Sequence, residues 1–258
     1  MNIIYQPRGA AREYAPWAVN LYRGCAHGCR YCYAPACLRM SAQVFSQATP
    51  RPNILEDLAD DLRKEIPDGP VLLCFTCDPY QPLEETAHLT QSAIALLAAA
   101  GAKIRVLTKA PSRALRLDGD LLKRAGVDFG VTLAWFHDER RILWEPDAES
   151  VAERITALGD AKKLGLKTWV SVEPVIEPHE VLTLLDYVLP KSIVNHWSIG
   201  RWNHEARANE INWSDFLIRA LIKLKAADRG VGVSYLIKDA LWRESSRAGL
   251  CQHDKEQK

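Results

Sequence analysis

An α/β fold with parallel strands and covering helices is predicted by three observations. From residue 50 onward, short apolar runs rich in β-formers alternate with longer helical patterns about six times. That is the order of a βα repeat, which places the strands parallel and the helices over them. The runs are continuously apolar, as in VLLCF at 71–75, and so read as strands buried on both faces. Reactive side chains follow the runs directly, and in an open doubly wound sheet or a barrel alike the chemistry gathers at the carboxyl ends of the strands.

The first helix after a cysteine-rich loop begins near Pro52. Asn53 is placed to cap it, Glu56 lies three residues on, and Ile54, Leu58, Leu62 and Ile66 share an apolar face until Asp68 and Gly69 stop it. Strand VLLCF leads to a long helix from about Pro82 that ends at Gly101, and strand IRVLT (104–108) to a helix near 111–125. Strand VDFGVTL (127–133), a helix near 147–164, strand KTWVSV (167–172) and a helix near 178–189 follow. The run SIVNHWSIG, a helix from about Trp213 and the run GVSYLI complete the series. The strand-end residues are Thr76-Cys77-Asp78, Lys109, Glu145, Glu173 and Arg201-Trp202-Asn203.

Length and composition fit one domain over 1–258, with a cysteine loop at 20–37, a βα core at about 50–237 and a C-terminal helix and tail at 238–258. Apolar residues are 48% and charged residues 25%, which excludes disordered and collagen-like chains. No apolar run approaches the roughly 20 residues of a membrane span, and the opening MNIIYQPRGAAREY lacks the apolar centre of a signal peptide. A cytoplasmic location without a membrane partner is therefore expected. Seven cysteines, an odd number in a reducing compartment, point to metal or redox use. A net charge of +1 gives no global case for nucleic acid. Arg105, Lys109, Arg113, Arg116, Lys123 and Arg124 give one βα unit a basic bias that could meet phosphates or simply be solvated.

The stretch NLYRGCAHGCRYCYAP carries Cys25, Cys29 and Cys32 in a C-x3-C-x2-C spacing. Zinc would need a fourth ligand, for which His27 or Cys37 is available. An iron-sulfur cluster fits better, because three thiolates leave one iron open to bind and activate a small molecule. Gly24 and Gly28 let the loop fold back so that the sulfurs converge. Cys74, on a buried strand, and Cys251 read as apolar filler.

The pattern REYAPWAVNLYRGCAHGCRYCYAP, with CDPYQPLE and TKAP after later strands, resembles the radical S-adenosylmethionine (SAM) superfamily, in its spore photoproduct lyase-like branch. The resemblance implies a partial (βα)6 TIM-type barrel with helices outside and a short C-terminal extension. It implies that Cys25, Cys29 and Cys32 hold a 4Fe-4S cluster whose open iron is chelated by SAM, and that a reductant such as flavodoxin or ferredoxin supplies the electron that releases a 5′-deoxyadenosyl radical. Thr76 and Asp78 stand where the family contacts the amino end of SAM, and Lys109, Glu145, Arg154 and Glu173 stand where ribose, carboxylate or substrate could be gripped. Arg154, on a predicted helix, could equally be a solvated charge. Cys77 takes the place of a cysteine that gives a hydrogen atom to the product radical, with Tyr31 and Tyr33 flanking Cys32 as relays. DNA lesions are the substrate implied, a peptide or RNA the alternative, and a non-catalytic zinc or iron-sulfur module a further one. Trp197, Trp202 and Trp213 could stack on a base or fill the barrel.

Overall fold

The computed structural model describes residues 3–203, 205–245 and 255–257. Cys251 and most of the tail lie outside the described residues. Seven strands run parallel in chain order: β1 (Trp17–Val19), β2 (Val71–Leu73), β3 (Ile104–Thr108), β4 (Asp128–Thr132), β5 (Lys167–Val175), β6 (His196–Arg201) and β7 (Ser234–Ile237). An eighth, β8 (Glu256–Gln257), is antiparallel to β7. Among the described residues no pairing joins β1 to β7 or β8, so the barrel they form is partial and open.

Helices fill the crossovers: α1 (Ile54–Lys64), α2 (Leu89–Ala99), α3 (Pro111–Arg124), α4 (Asp138–Trp144), α5 (Val151–Leu164), α6 (Pro178–Val188) and α7 (Trp213–Val231), with α8 (Asp239–Ser245) after β7. This is the parallel α/β architecture that the apolar runs predict. β1 lies outside the predicted repeat, yet it pairs along β2 and thereby places the cysteine loop at the carboxyl end of the sheet.

Several boundaries differ from the prediction for local reasons. Asn53 takes a left-handed φ of 54° and makes no side-chain cap, and Ile66 lies beyond α1, 51% exposed. The helix expected from Pro82 breaks at His88, φ 48°. There the Glu84 carboxylate accepts from Thr90 N at 2.9 Å and caps the start of α2 in place of the preceding turn. α4 is an additional helix, and α5 begins only at Val151, where Ser150 and Glu153 form a capping box. β5 runs on to Val175, which carries Glu173 on the strand itself.

The main core lies between the sheet and its helices. A second, smaller cluster on the other face joins Ala15, Ala18 and Leu72 to Trp169. Trp169 pairs with Gly130 of β4, and the Arg105 guanidinium lies 3.9 Å from its ring centroid. A Cβ on Gly130 would meet the indole at 2.2 Å, so glycine here is a packing requirement of the floor beneath the site. We expect Gly130→Ala to destabilise the fold by about 1–3 kcal/mol through overpacking, read as a lower denaturation midpoint; an unchanged midpoint would show that the ring has room to move.

Candidate active-site cavity

At the carboxyl ends of the strands lies a cavity of about 400 Å³. Cys25, Cys29 and Cys32 line part of it, together with the segment before β1 (8–14), the residues after β2 and β3, Thr132 of β4, and residues along β5, at the end of and after β6, and after β7. The cysteine loop is held by its backbone: Cys25 N donates to Phe45 O at 2.8 Å and Arg30 N to Trp144 O at 2.9 Å. Gln81, wholly buried, accepts from Ala26 N at 3.0 Å through Oε1 and donates to Gly24 O at 3.4 Å through Nε2. Gly24 has φ 89°, and a Cβ there would lie 2.4 Å from Phe45 O. The loop therefore needs glycine both for its conformation and for its close contact.

The three thiols are free and half-buried. Burial pushes Cys29 and Cys32 above the ordinary thiol range, so thiolates at these two positions would form only with a compensating cation. Among the described residues, Glu177, His179 and Glu180 are the trio of possible ligands whose donor atoms all lie within 4.8 Å of one another. The three sulfurs are spread wider than that, whereas ligands of a single zinc at Zn–S of about 2.3 Å could be no more than about 4.6 Å apart. The donor set fits a cluster in which each sulfur meets its own iron.

Asp78 is buried and saturated. Its carboxylate accepts from Tyr80 N at 2.8 Å, Thr108 Oγ1 at 2.7 Å and Lys109 N at 2.7 Å, and His27 Nδ1 stands 3.3 Å away as an ion-pair partner. Burial raises the carboxyl, but His27 and these donors hold it well below the ordinary range. His27 shows the reverse balance: burial lowers it, while Asp78 and Cys25 lift it to about 9. Nearby, Asn20 Oδ1 accepts from Phe75 N at 2.8 Å and Thr76 N at 2.9 Å, fixing the turn after β2 to the end of β1. The Thr76 hydroxyl lies at the cavity with no hydrogen-bond partner among the described residues.

Two carboxylates mark opposite walls. Glu145, fully buried, receives the Tyr31 hydroxyl and pairs with Arg154 at 2.6 Å. Arg154 also donates to Glu149 O at 2.9 Å and Thr132 O at 3.0 Å; it is wholly buried, which excludes the solvated reading. Lys109 lies beside this group, 5.7 Å from the Tyr31 ring centroid. Burial lowers the Lys109 amine, but Cys29 and Glu145 raise it above its ordinary value. On the far wall Glu173 accepts from Lys238 Nζ at 2.6 Å and from the Tyr14 hydroxyl, and Tyr14 meets Ser171 Oγ at 2.8 Å.

The cavity thus brings together Thr76, Cys77, Asp78, Lys109, Glu173, Tyr31 and Tyr33 with the three cysteines, and Glu145 and Arg154 stand behind Tyr31. Tyr33 is half-exposed and donates to Phe75 O at 3.1 Å. Cys74, read from the sequence as filler, also reaches the cavity wall. Within the basic unit, Arg105 packs against Trp169 and Arg113 and Arg116 both pair with Glu85, whereas Lys123 and Arg124 are exposed at the end of α3. Trp197 and Trp213 are core residues, and Trp202 keeps an edge on the cavity. Gln81, Asn20, Tyr14 and Lys238 were not singled out by the sequence; their signal is only that polar residues flank strand ends.

The sequence profile described as the Radical SAM superfamily matches residues 19–183. An uncharacterized protein of Methanocaldococcus jannaschii is 27% identical over 165 residues, which is 63% of this chain and 61% of that protein. An uncharacterized protein of Mycobacterium tuberculosis is 29% identical over 178 residues, 66% of this chain and 52% of that one. The chain therefore spans about half to three-fifths of the length of these curated relatives. Among solved structures, spore photoproduct lyase complexed with dinucleoside spore photoproduct superposes with a TM-score of 0.62 at 15% identity, over 90% of this chain and 78% of that one.

The Glu145–Arg154 pair yields a stability test. Burial raises the Glu145 carboxyl, yet Arg154 and Lys109 bring it below its ordinary value. The stabilisation it contributes is thus present above the unfolded carboxyl pKa of about 4.3 and lost as pH falls through the lower folded value. Arg154→Met, which strands the charge, should cost about 3–5 kcal/mol at neutral pH. A Glu145→Leu/Arg154→Met double variant should recover much of that loss in denaturant unfolding, and strictly additive losses would refute the pairing.

Proposed function

The chain belongs to the radical SAM superfamily, and on that premise we propose that it acts as a spore photoproduct lyase-like enzyme on a nucleic-acid lesion. The observation that carries the radical reading is the loop of three free thiols opening on the cavity at the carboxyl ends of the strands. Cys25, Cys29 and Cys32 are assigned to hold the family's 4Fe-4S cluster. Bound there with SAM, the cluster supplies one-electron cleavage of SAM to a 5′-deoxyadenosyl radical, drawing its electron from a carrier of the flavodoxin or ferredoxin class.

The chain's own residues bind, orient and shield. The unpartnered Thr76 hydroxyl is free to meet the amino end of SAM. Asp78 is committed to backbone and side-chain donors, so its part is to fix that turn. Lys109 and Glu145, with Arg154 behind them, set the polarity beside the cysteine loop, and Glu173 does the same on the far wall. Trp202, Leu107 and Phe75 line the cavity with apolar surface, which limits water near a reactive carbon. Cys77 is assigned to return a hydrogen atom to the product: burial pushes its thiol well up, so its S–H is intact at neutral pH. Tyr33 reaches the turn that carries Cys77 through Phe75 O, while Tyr31 is held on Glu145.

The lesion substrate is supported by the likeness to a lyase solved with a dinucleoside spore photoproduct, and by Arg8 on the cavity wall, a cation that suits a phosphodiester; Arg201 and Lys238 also line the wall but are paired with Glu244 and Glu173. No described helix is long and apolar enough to cross a membrane, in keeping with a proposed cytoplasmic site of action.

After anaerobic loading with iron and sulfide, wild type given dithionite and SAM should release 5′-deoxyadenosine, measured by mass spectrometry, and a Cys25→Ala/Cys29→Ala/Cys32→Ala variant should release none. Tight binding of one zinc with no SAM cleavage would sink the radical reading. With oligonucleotides carrying spore photoproduct or a thymine dimer, wild type should convert the lesion. Cys77→Ala should alter the hydrogen isotope incorporated into the product, and unchanged incorporation would remove Cys77 as donor.

A further inference from the structure

The mechanism above uses one of two thiols that the fold puts together. Cys74 directly follows β2 and Cys77 comes three residues later, a C-x2-C spacing, with the chain bending over 75–77. Both side chains are buried, 5% and 9% exposed, and both line the cavity. The two thiols interact directly, and the same two phenols, Tyr5 and Tyr22, feel the charge of both. The bend over 75–77 is the kind of local reversal that can bring two cysteines into the Cα separation of about 4.4–6.8 Å that a disulfide requires. In the same turn Asn20 holds Phe75 N and Thr76 N, so the segment between the two sulfurs is fixed rather than frayed.

We propose that Cys74 and Cys77 form a redox-active dithiol in the wall of the cavity, and that its oxidation to a disulfide removes the S–H that faces the substrate. The reaction with a low-molecular-weight disulfide is balanced: the S–S bond of the small molecule breaks, the Cys74–Cys77 bond forms, and the two protein protons leave on two small-molecule thiols. The cavity is the path by which the small disulfide reaches the pair. Because thiolate is the attacking species, exchange is faster at higher pH. The effect on turnover rests on Cys77 being the hydrogen donor; formation of the disulfide does not.

The test uses cluster-loaded protein equilibrated anaerobically with mixtures of reduced and oxidised glutathione, then alkylated and digested for mass spectrometry. We expect a single Cys74–Cys77 cross-linked peptide, two hydrogens lighter than the dithiol form. It should grow with the oxidised fraction, revert with dithiothreitol and leave the visible iron-sulfur absorbance intact. Cys74→Ala should abolish the cross-link and let Cys77 take up one glutathione, and the cross-linked wild type should lose lesion conversion while still releasing 5′-deoxyadenosine. The proposal fails if both thiols stay alkylatable at the most oxidising mixture, or if Cys77 pairs with Cys25 or Cys37 instead. Should the cross-link form while product formation continues with unchanged isotope incorporation, the dithiol stands and the donor role of Cys77 falls.

Discussion

One buried carboxylate, Asp78, sets the geometry on which the site depends. A lone carboxylate in the interior is expensive to desolvate, and this one is tolerated because the Lys109 amide, the Thr108 hydroxyl, the Tyr80 amide and His27 converge on it. Those partners come from three separate stretches: the turn after β2, the end of β3 and the cysteine loop. Satisfying one charge therefore fixes three segments against one another, and the loop that carries the thiols is positioned by the same bonds that keep the charge dissolved. Gln81 and Asn20 extend the logic with neutral amides, each binding backbone groups of a loop that would otherwise bury them unpaired.

Beyond that centre, the cavity is built as two polar poles with apolar surface between them. Beside the cysteines, Glu145 is offset by Arg154 and Lys109; across the cavity, Glu173 is offset by Lys238. Each carboxylate sits within reach of a cation, so neither presents a bare charge to a ligand. Both Arg154 and Lys238 are almost wholly buried, so each ion pair is held in low dielectric and is little screened by salt.

The sheet and its order were legible because continuous apolar runs of strand length and helix-length amphipathic stretches alternate without interruption. β1 escaped that reading: three residues, WAV, are too few to show a period, and it is pairing with β2 that makes them a strand. The strand-end chemistry of Asp78, Lys109 and Glu173 was legible from position alone. The partners were not, since Lys238 reaches Glu173 across 65 residues and local sequence holds no record of such pairings. Arg154 shows the limit from the other side: on a helix an arginine usually faces solvent, and only the burial of Glu145 opposite it draws it inward.

Burial has a consistent chemical direction throughout the site. Taking a thiol out of water disfavours its thiolate, which makes a poor nucleophile and an intact hydrogen-atom source, because homolysis of S–H leaves no charge to solvate. The same burial raises the Cys29 and Cys32 thiols, so thiolates at these two positions need a compensating cation; in the proposed assignment iron supplies it, whereas Cys77, with no such cation assigned to it, keeps its proton.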